Sequence, residues 1–207
     1  MPAPFGAILL AGGRATRMDG VAKPLLEVGG RTLLEAAASA VRDAGCHPIT
    51  VVADVLDPTL DVSWVREDPP FGGPAAAIVA ACNSWGEAAN APEWTFVLAC
   101  DLPAAGRAVA MLREALPLLP SDADGVCLAD PSGRPQWLTG LYRSTALAAS
   151  AAALPDRGRN APARALLDDL AITVLRADAD MTHDIDTWED LTSAREHARP
   201  RIAEETP

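Results

Sequence analysis

Lysine is nearly missing from this chain. Of 17 basic side chains among 207 residues, sixteen are arginine and one is Lys23. Histidine is scarce, at 3, and there is no G-x-S-x-G. A hydrolase pair of nucleophile and base therefore has few candidates. Cys46, Cys82, Cys100 and Cys127 are scattered, with no C-x-x-C and no histidine cluster nearby. They read as reduced, buried thiols and not as a zinc site. No apolar run approaches the ~20 residues of a membrane span. Residues 1–4 lack the basic stretch of a secretory leader, so a cytoplasmic location without a membrane partner is expected. Positive charge is in deficit. A net charge of −11 argues against nucleic-acid binding, which wants a basic face. It also requires any site for an anion to be locally basic.

What remains is an ordinary globular composition, 49% hydrophobic and 22% charged, with a length suited to one domain or a domain with a small extension. The informative stretch is 5–26, FGAILLAGGRATRMDGVAKPLL. Its apolar start, 5–10, is short enough for a buried strand. A loop follows with Gly12, Gly13 and Gly20, and with Arg14, Arg17 and Lys23 among them. Glycine lets backbone amides approach a ligand closely, and three cations on one loop imply an anion, most simply a polyphosphate. Two better-known phosphate loops are excluded. A P-loop needs G-x-x-x-x-G-K-[ST], whereas Gly20 stands three residues before Lys23 and Pro24 follows it. A dinucleotide fingerprint needs G-x-G-x-x-G, whereas Gly12 and Gly13 are adjacent. The alternative is a surface loop with solvated charges.

Further along, Thr32 and Glu35 have capping-box spacing before a helix that Gly45 stops. Strand-like runs cover 49–53, 62–65, 95–100, 125–129, 136–142 and 172–175. Gly73 and Pro74 suit a helix start. Helices are expected over 107–116, 145–154, 163–170 and, behind a second capping box at Thr187 and Asp190, 187–198. Residues 155–162, PDRGRNAP, read as an exposed hinge or lid, and 200–207 as a disordered tail. Strand and helix alternate over the first half, which predicts an α/β fold: a mainly parallel sheet with helices on both faces. Ligands bind such sheets at the carboxyl ends of the strands. The glycine loop and Asp101 both follow strand runs and should meet at one rim.

A carboxylate beside a polyphosphate suits Mg²⁺, which takes one or two carboxylates plus phosphate oxygens. Asp101 is the first candidate; its alternative role is to cap the next helix. In Asp184-Ile185-Asp186, alternation puts both carboxylates on one side, and either one would complete the metal shell if the segment returns to the rim. The alternative is a solvated turn. Nucleotidyl transfer needs no protein base, because a substrate phosphate, with a second pKa of about 6, is already mostly ionised. The protein then supplies alignment and charge neutralisation.

Leu10-Ala11-Gly12-Gly13, Arg17-Met18, and Lys23 with Leu25-Leu26 resemble the signature of the nucleotidyltransferases that act on molybdenum cofactor, with the guanylyltransferases as the nearest pattern. Asp68 with Gly72-Gly73-Pro74, Cys100-Asp101-Leu102-Pro103, residues 136–142 and Asp184-Ile185-Asp186-Thr187 continue the resemblance in order along the chain. It implies a three-layer Rossmann-like nucleotidyltransferase fold over 1–199, with a nucleotide-binding half at 1–103 and an acceptor-binding half at 104–199. It implies transfer of GMP from GTP to the terminal phosphate of molybdopterin, with Mg²⁺ and release of pyrophosphate. It further implies transient contact with molybdoenzymes or cofactor chaperones. By the same resemblance Arg17, Lys23 and Asp101 are catalytic. Leu10, Ala11, Gly12, Gly13, Arg14, Asp54 and Asp68 join Lys23 and Asp101 around the nucleotide, and Asp101 and Asp186 hold the metal. Arg159 is a candidate ligand for the pterin's phosphate. Cytidylyl relatives usually read Leu-Ala-Ala-Gly where this chain has Leu10-Ala11-Gly12-Gly13, which favours GTP. The rival readings are CTP as donor, a sugar phosphate as acceptor, or a nucleotide-binding module without turnover.

Overall fold

The structure is a computed structural model that describes residues 4–13, 18, 20–86 and 91–198. Arg14, Arg17, Asp19 and the 200–207 tail lie outside the described residues. The first half runs β1 (Phe5–Leu10), β2 (Glu27–Val28), β3 (Arg31–Thr32), α1 (Leu33–Asp43), β4 (Ile49–Val52), β5 (Ser63–Val65), α2 (Pro74–Ser84) and β6 (Trp94–Ala99). The second half runs α3 (Ala105–Ala115), β7 (Gly125–Ala129), β8 (Pro135–Arg143), α4 (Ser144–Ala153), β9 (Ile172–Arg176), α5 (Ala179–Thr182) and α6 (Trp188–His197).

Seven strands form one sheet in the order β5-β4-β1-β6-β8-β7-β9. All neighbours run parallel except those of β8, which is antiparallel to β6 and β7. The period-two alternation of the strands sorts the core into two layers. Ala7 and Leu9 of β1, Phe96 and Leu98 of β6, and Val126 and Leu128 of β7 face α1 and α3. Ile8, Val97 and Cys127 face α2 and α4. This is the expected three-layer Rossmann-like arrangement, with helices on both faces of a mainly parallel sheet.

Local chemistry sets most element ends. Thr32 Oγ1 accepts from the Glu35 amide at 3.1 Å while the Glu35 carboxylate accepts from the Thr32 amide at 2.7 Å, the reciprocal capping box. Helix α2 starts at Gly73, whose φ of 94° an L side chain resists, with Pro74 in the first turn. A short hairpin, β2–β3, was not read from the sequence. Its turn is Gly29-Gly30, at φ 62° and 81°, and two adjacent positive φ values are what a two-residue hairpin demands.

Two expectations are corrected. The 155–162 segment is not a free hinge. It holds a tight turn, Pro155–Gly158, with Asp156 and Arg157 at φ 49° and 55°, in which buried Gly158 sits against Ala75 of α2, and the Asn160 amide donates to the Gly72 carbonyl at 2.6 Å. Composition registered its exposed side chains but not the docked backbone. Residues 163–170 form a single 3-10 turn, Ala163–Leu166, and not an α-helix. Leu166 and Leu167, adjacent in sequence, are both buried, which a short turn permits more readily than one helical stripe.

A third apolar cluster fixes the site. Met18, Leu26, Leu33, Ile185 and Leu191 pack together, joining the end of the glycine loop to α1 and to the segment before α6. Arg195 Nε of α6 donates to the Glu27 carbonyl at 2.9 Å. Ile185 is fully buried, so Ile185→Ala should cost about 2–5 kcal/mol of unfolding free energy in urea denaturation. A loss below about 1 kcal/mol would mean that this cluster collapses around the gap or contributes little.

Candidate active site

Parallel pairing puts three chain segments side by side at one rim. Leu10 is paired with both Val52 and Ala99, so the residues after β1, β4 and β6 leave the sheet together. The Ala11 amide donates to the Val52 carbonyl at 3.3 Å, and the Cys100 amide donates to the Leu10 carbonyl at 2.9 Å. A cleft of about 480 Å³ opens there. Leu10, Ala11, Gly12, Gly13 and Lys23 line it from the glycine loop, Ala53 and Asp54 from the end of β4, and Cys100 and Asp101 from the end of β6. Asp186 lines it too, although 163 residues separate it from Lys23.

The Lys23 ammonium donates to Asp186 Oδ1 at 2.5 Å. Asp101 lies close by. Burial pushes its carboxyl up to about 6, the Asp184 carboxylate pushes the same way, Lys23 opposes the rise, and Asp186 adds to it. The helix-cap alternative for Asp101 does not occur: α3 begins behind Ala104, without a side-chain cap. Asp101 instead anchors the acidic segment through its backbone, its carbonyl accepting from the Ile185 amide at 3.0 Å. Ile185 is buried while its acidic neighbours Asp184 and Asp186 are not, and Asp186 is the one that lines the cleft.

Asp190, on the first turn of α6, holds the same segment. Its Oδ2 accepts from the amides of Asp186 at 3.0 Å and Thr187 at 2.8 Å, and from Thr187 Oγ1 at 2.8 Å. Its Oδ1 lies 3.0 Å from His183 Nε2. The Thr187 hydroxyl and then the other donors depress its carboxyl to about 2.

Asp68 does not itself line this cleft. Its neighbour Glu67 lines the cleft, while Asp68 borders a second hollow of about 210 Å³ together with Arg157 and Arg159. Asp54 is engaged by Arg66 in an ion pair. Arg66, Glu67 and Phe71 were missed by sequence reasoning. The Arg66 guanidinium lies 5.2 Å from the Phe71 ring centre, and the Phe71 amide donates to Glu67 Oε1 at 2.9 Å. Their signal was available: Arg66 and Glu67 directly follow β5, the outer parallel strand, and so belong to the same rim.

The donor set suits a hard divalent cation. Among the described residues no group of three or more His, Cys, Asp or Glu side chains stands ready to hold a metal. Asp101 and Asp186 are two oxygen donors at one cleft, and phosphate oxygens would have to complete the shell, which is the usual mode of Mg²⁺.

The elevated Asp101 pKa has a consequence for stability. The fold binds this proton more tightly than the unfolded chain, whose carboxyl titrates near 3.8. Stability therefore falls as pH rises from about 4 to above 6, where the half-buried carboxylate is charged. Asp101→Asn stays neutral and should melt higher than the native protein at about pH 8, the gain vanishing near pH 4. Scanning calorimetry at both pH values checks this; the same Tm difference at both would contradict it.

The family described as MobA-like NTP transferase domain matches residues 7–199. A molybdenum cofactor guanylyltransferase of Nitrobacter hamburgensis is 37% identical over 107 residues, 48% of this chain and 49% of that relative. The match thus spans about half the relative's length. The solved structure of molybdopterin-guanine dinucleotide biosynthesis protein A from Archaeoglobus fulgidus superposes with a TM-score of 0.65 at 18% identity, covering 93% of this chain and 97% of that one. A nucleotidyl transferase from Methanothermobacter gives a TM-score of 0.70 at 23% identity, covering 94% and 97%. At these identities the two solved structures share the fold.

Proposed function

This chain belongs to the MobA-like NTP transferase domain family, and from that premise we propose that it transfers GMP from GTP to the terminal phosphate of molybdopterin, releasing pyrophosphate. The observation that carries the reading is the convergence of Lys23, Asp101 and Asp186 on a cleft whose floor is the glycine loop. Backbone groups of Leu10, Ala11, Gly12 and Gly13 line the nucleoside, and Lys23, with Arg14 and Arg17 of the same loop, takes the triphosphate. Asp54 lies at the nucleoside's edge. Asp101 and Asp186 hold Mg²⁺, which when bound neutralises charge on the phosphates. Asp68, next to the cleft-lining Glu67, contacts the nucleoside.

An oxygen of the acceptor's phosphate attacks the α-phosphorus. The bond from that phosphorus to the bridging oxygen of the β-phosphate breaks, and pyrophosphate leaves with the electron pair. Lys23 exchanges Asp186 for phosphate oxygens and stabilises the charge as it develops. Asp101, held at the rim by its backbone bond to Ile185, needs no proton-transfer role.

Pyrophosphate release in the presence of GTP, Mg²⁺ and molybdopterin tests the reading. Lys23→Ala and Asp101→Ala should each lower turnover at least ~10²-fold, since each removes a charge partner of the transition state. Tight GTP binding with no release would support a non-catalytic module. The base is tested at Gly12, where an added Cβ would meet only the Val52 carbonyl oxygen, at 3.4 Å. Gly12→Ala should therefore fold and lower the ratio of kcat/KM for GTP over CTP. An unchanged ratio would remove Gly12 from the choice of base, and a larger thermal shift with CTP than with GTP in the native protein would retire the guanylyl assignment.

A further inference from the structure

The Asp190 carboxylate does more than an N-terminal cap requires. A capping box satisfies the cap residue's own amide; here that is Thr187, whose amide donates to Asp190 Oδ2 at 2.8 Å while its hydroxyl accepts from the Asp190 amide at 3.1 Å. The same Oδ2 also accepts the preceding amide, that of Asp186, at 3.0 Å. That amide belongs to the residue whose carboxylate meets Lys23 at the cleft. One residue earlier, the Ile185 amide is bonded to the Asp101 carbonyl. The 185–187 backbone is thus fastened at consecutive amides, first to the rim and then to α6.

We propose that Asp190 is a positioning residue that aims the Asp186 carboxylate at the cation in the cleft, acting through the Asp186 amide. The inference rests on the reading of Asp186 as a ligand of that cation. Asp190 does not line the cleft. Three donors already share its Oδ2 and His183 faces its Oδ1, so its oxygens are committed to the protein. A carboxylate is well matched to this task, because an ionised acceptor makes a stronger bond to a backbone amide than a neutral one. Partners that hydrogen-bond a metal-ligating side chain typically change metal affinity by about 10–100-fold when lost, and Asp190 holds such a residue by its backbone amide.

The cap and the positioning role separate experimentally. Thr187→Ala removes the hydroxyl side of the capping box but leaves the Asp186 and Thr187 amides on Asp190. Asp190→Ala removes both. Mg²⁺ binding to the full-length protein is measured by titration calorimetry with GTP present and no acceptor, so turnover does not enter, and thermal melting reports the cap. Both variants should lower Tm. Only Asp190→Ala should weaken Mg²⁺ binding, by ~10-fold or more, while Thr187→Ala stays within about two-fold of native, since the bond to the Asp186 amide and not the cap sets the affinity. Should Asp190→Ala fail to fold, Asp190→Asn keeps the shape of the side chain but replaces the ionised acceptor by a neutral one, and should still weaken Mg²⁺ binding, by about five-fold. Native Mg²⁺ affinity in the folded Asp190 variant, or an equal loss in Thr187→Ala, overturns the inference. Asp186→Ala is the control for the underlying reading: if it binds Mg²⁺ as the native protein does, the fault lies with Asp186 as ligand and not with Asp190.

Discussion

The side chain of Ile185 is buried among Met18, Leu26, Leu33 and Leu191, and its amide donates to the Asp101 carbonyl at 3.0 Å. Three distant parts of the chain meet at this one residue: the glycine loop, the end of β6 and the approach to α6. Magnitudes rank the contributions. Burying an isoleucine is worth roughly 1.5–3 kcal/mol and a net backbone hydrogen bond about 0.5–1.5 kcal/mol. The Lys23–Asp186 pair is partly exposed to solvent, and such pairs are worth about 0–1 kcal/mol. The apolar contact therefore sets where the charges stand, and the ion pair reports that placement.

The electrostatics of the cleft run against stability. A half-buried Asp101 with Asp184 and Asp186 beside it is a poor place for negative charge, and Lys23 offsets only part of it. A fold that keeps carboxylates in this arrangement gains nothing in the free state. The arrangement makes sense when a cation and a phosphate chain bring compensating charge. In a chain of net charge −11, the one lysine stands where that compensation is needed.

Much of the architecture was legible beforehand, because it is written in local rules. Apolar runs at 5–10 and 95–100, capping boxes at Thr32 and Thr187, and the glycines at 45 and 73 each have a physical meaning that does not depend on the rest of the chain. The rim position of Lys23 and Asp101 followed from strand-then-loop order in a parallel sheet. The 185–187 anchor was only half legible: alternation separated Ile185 from its two acidic neighbours, but nothing local says which apolar cluster receives it. Arg66, Glu67 and Phe71 depended on β5 joining the sheet as its outer strand, a tertiary event. The docked 155–162 segment escaped for the opposite reason, since its fastening uses backbone groups and a glycine, to which side-chain composition is blind.

In the proposed reading one triphosphate spans the Lys23 ammonium and the Asp101 carboxylate. A crystal structure of the protein soaked with GTP and Mg²⁺ decides whether it does. The triphosphate should lie along the glycine loop, with Lys23 Nζ on phosphate oxygens and the metal on Asp101 and Asp186. Nucleotide bound elsewhere, or a metal held by other carboxylates while Lys23 keeps its bond to Asp186, would contradict it.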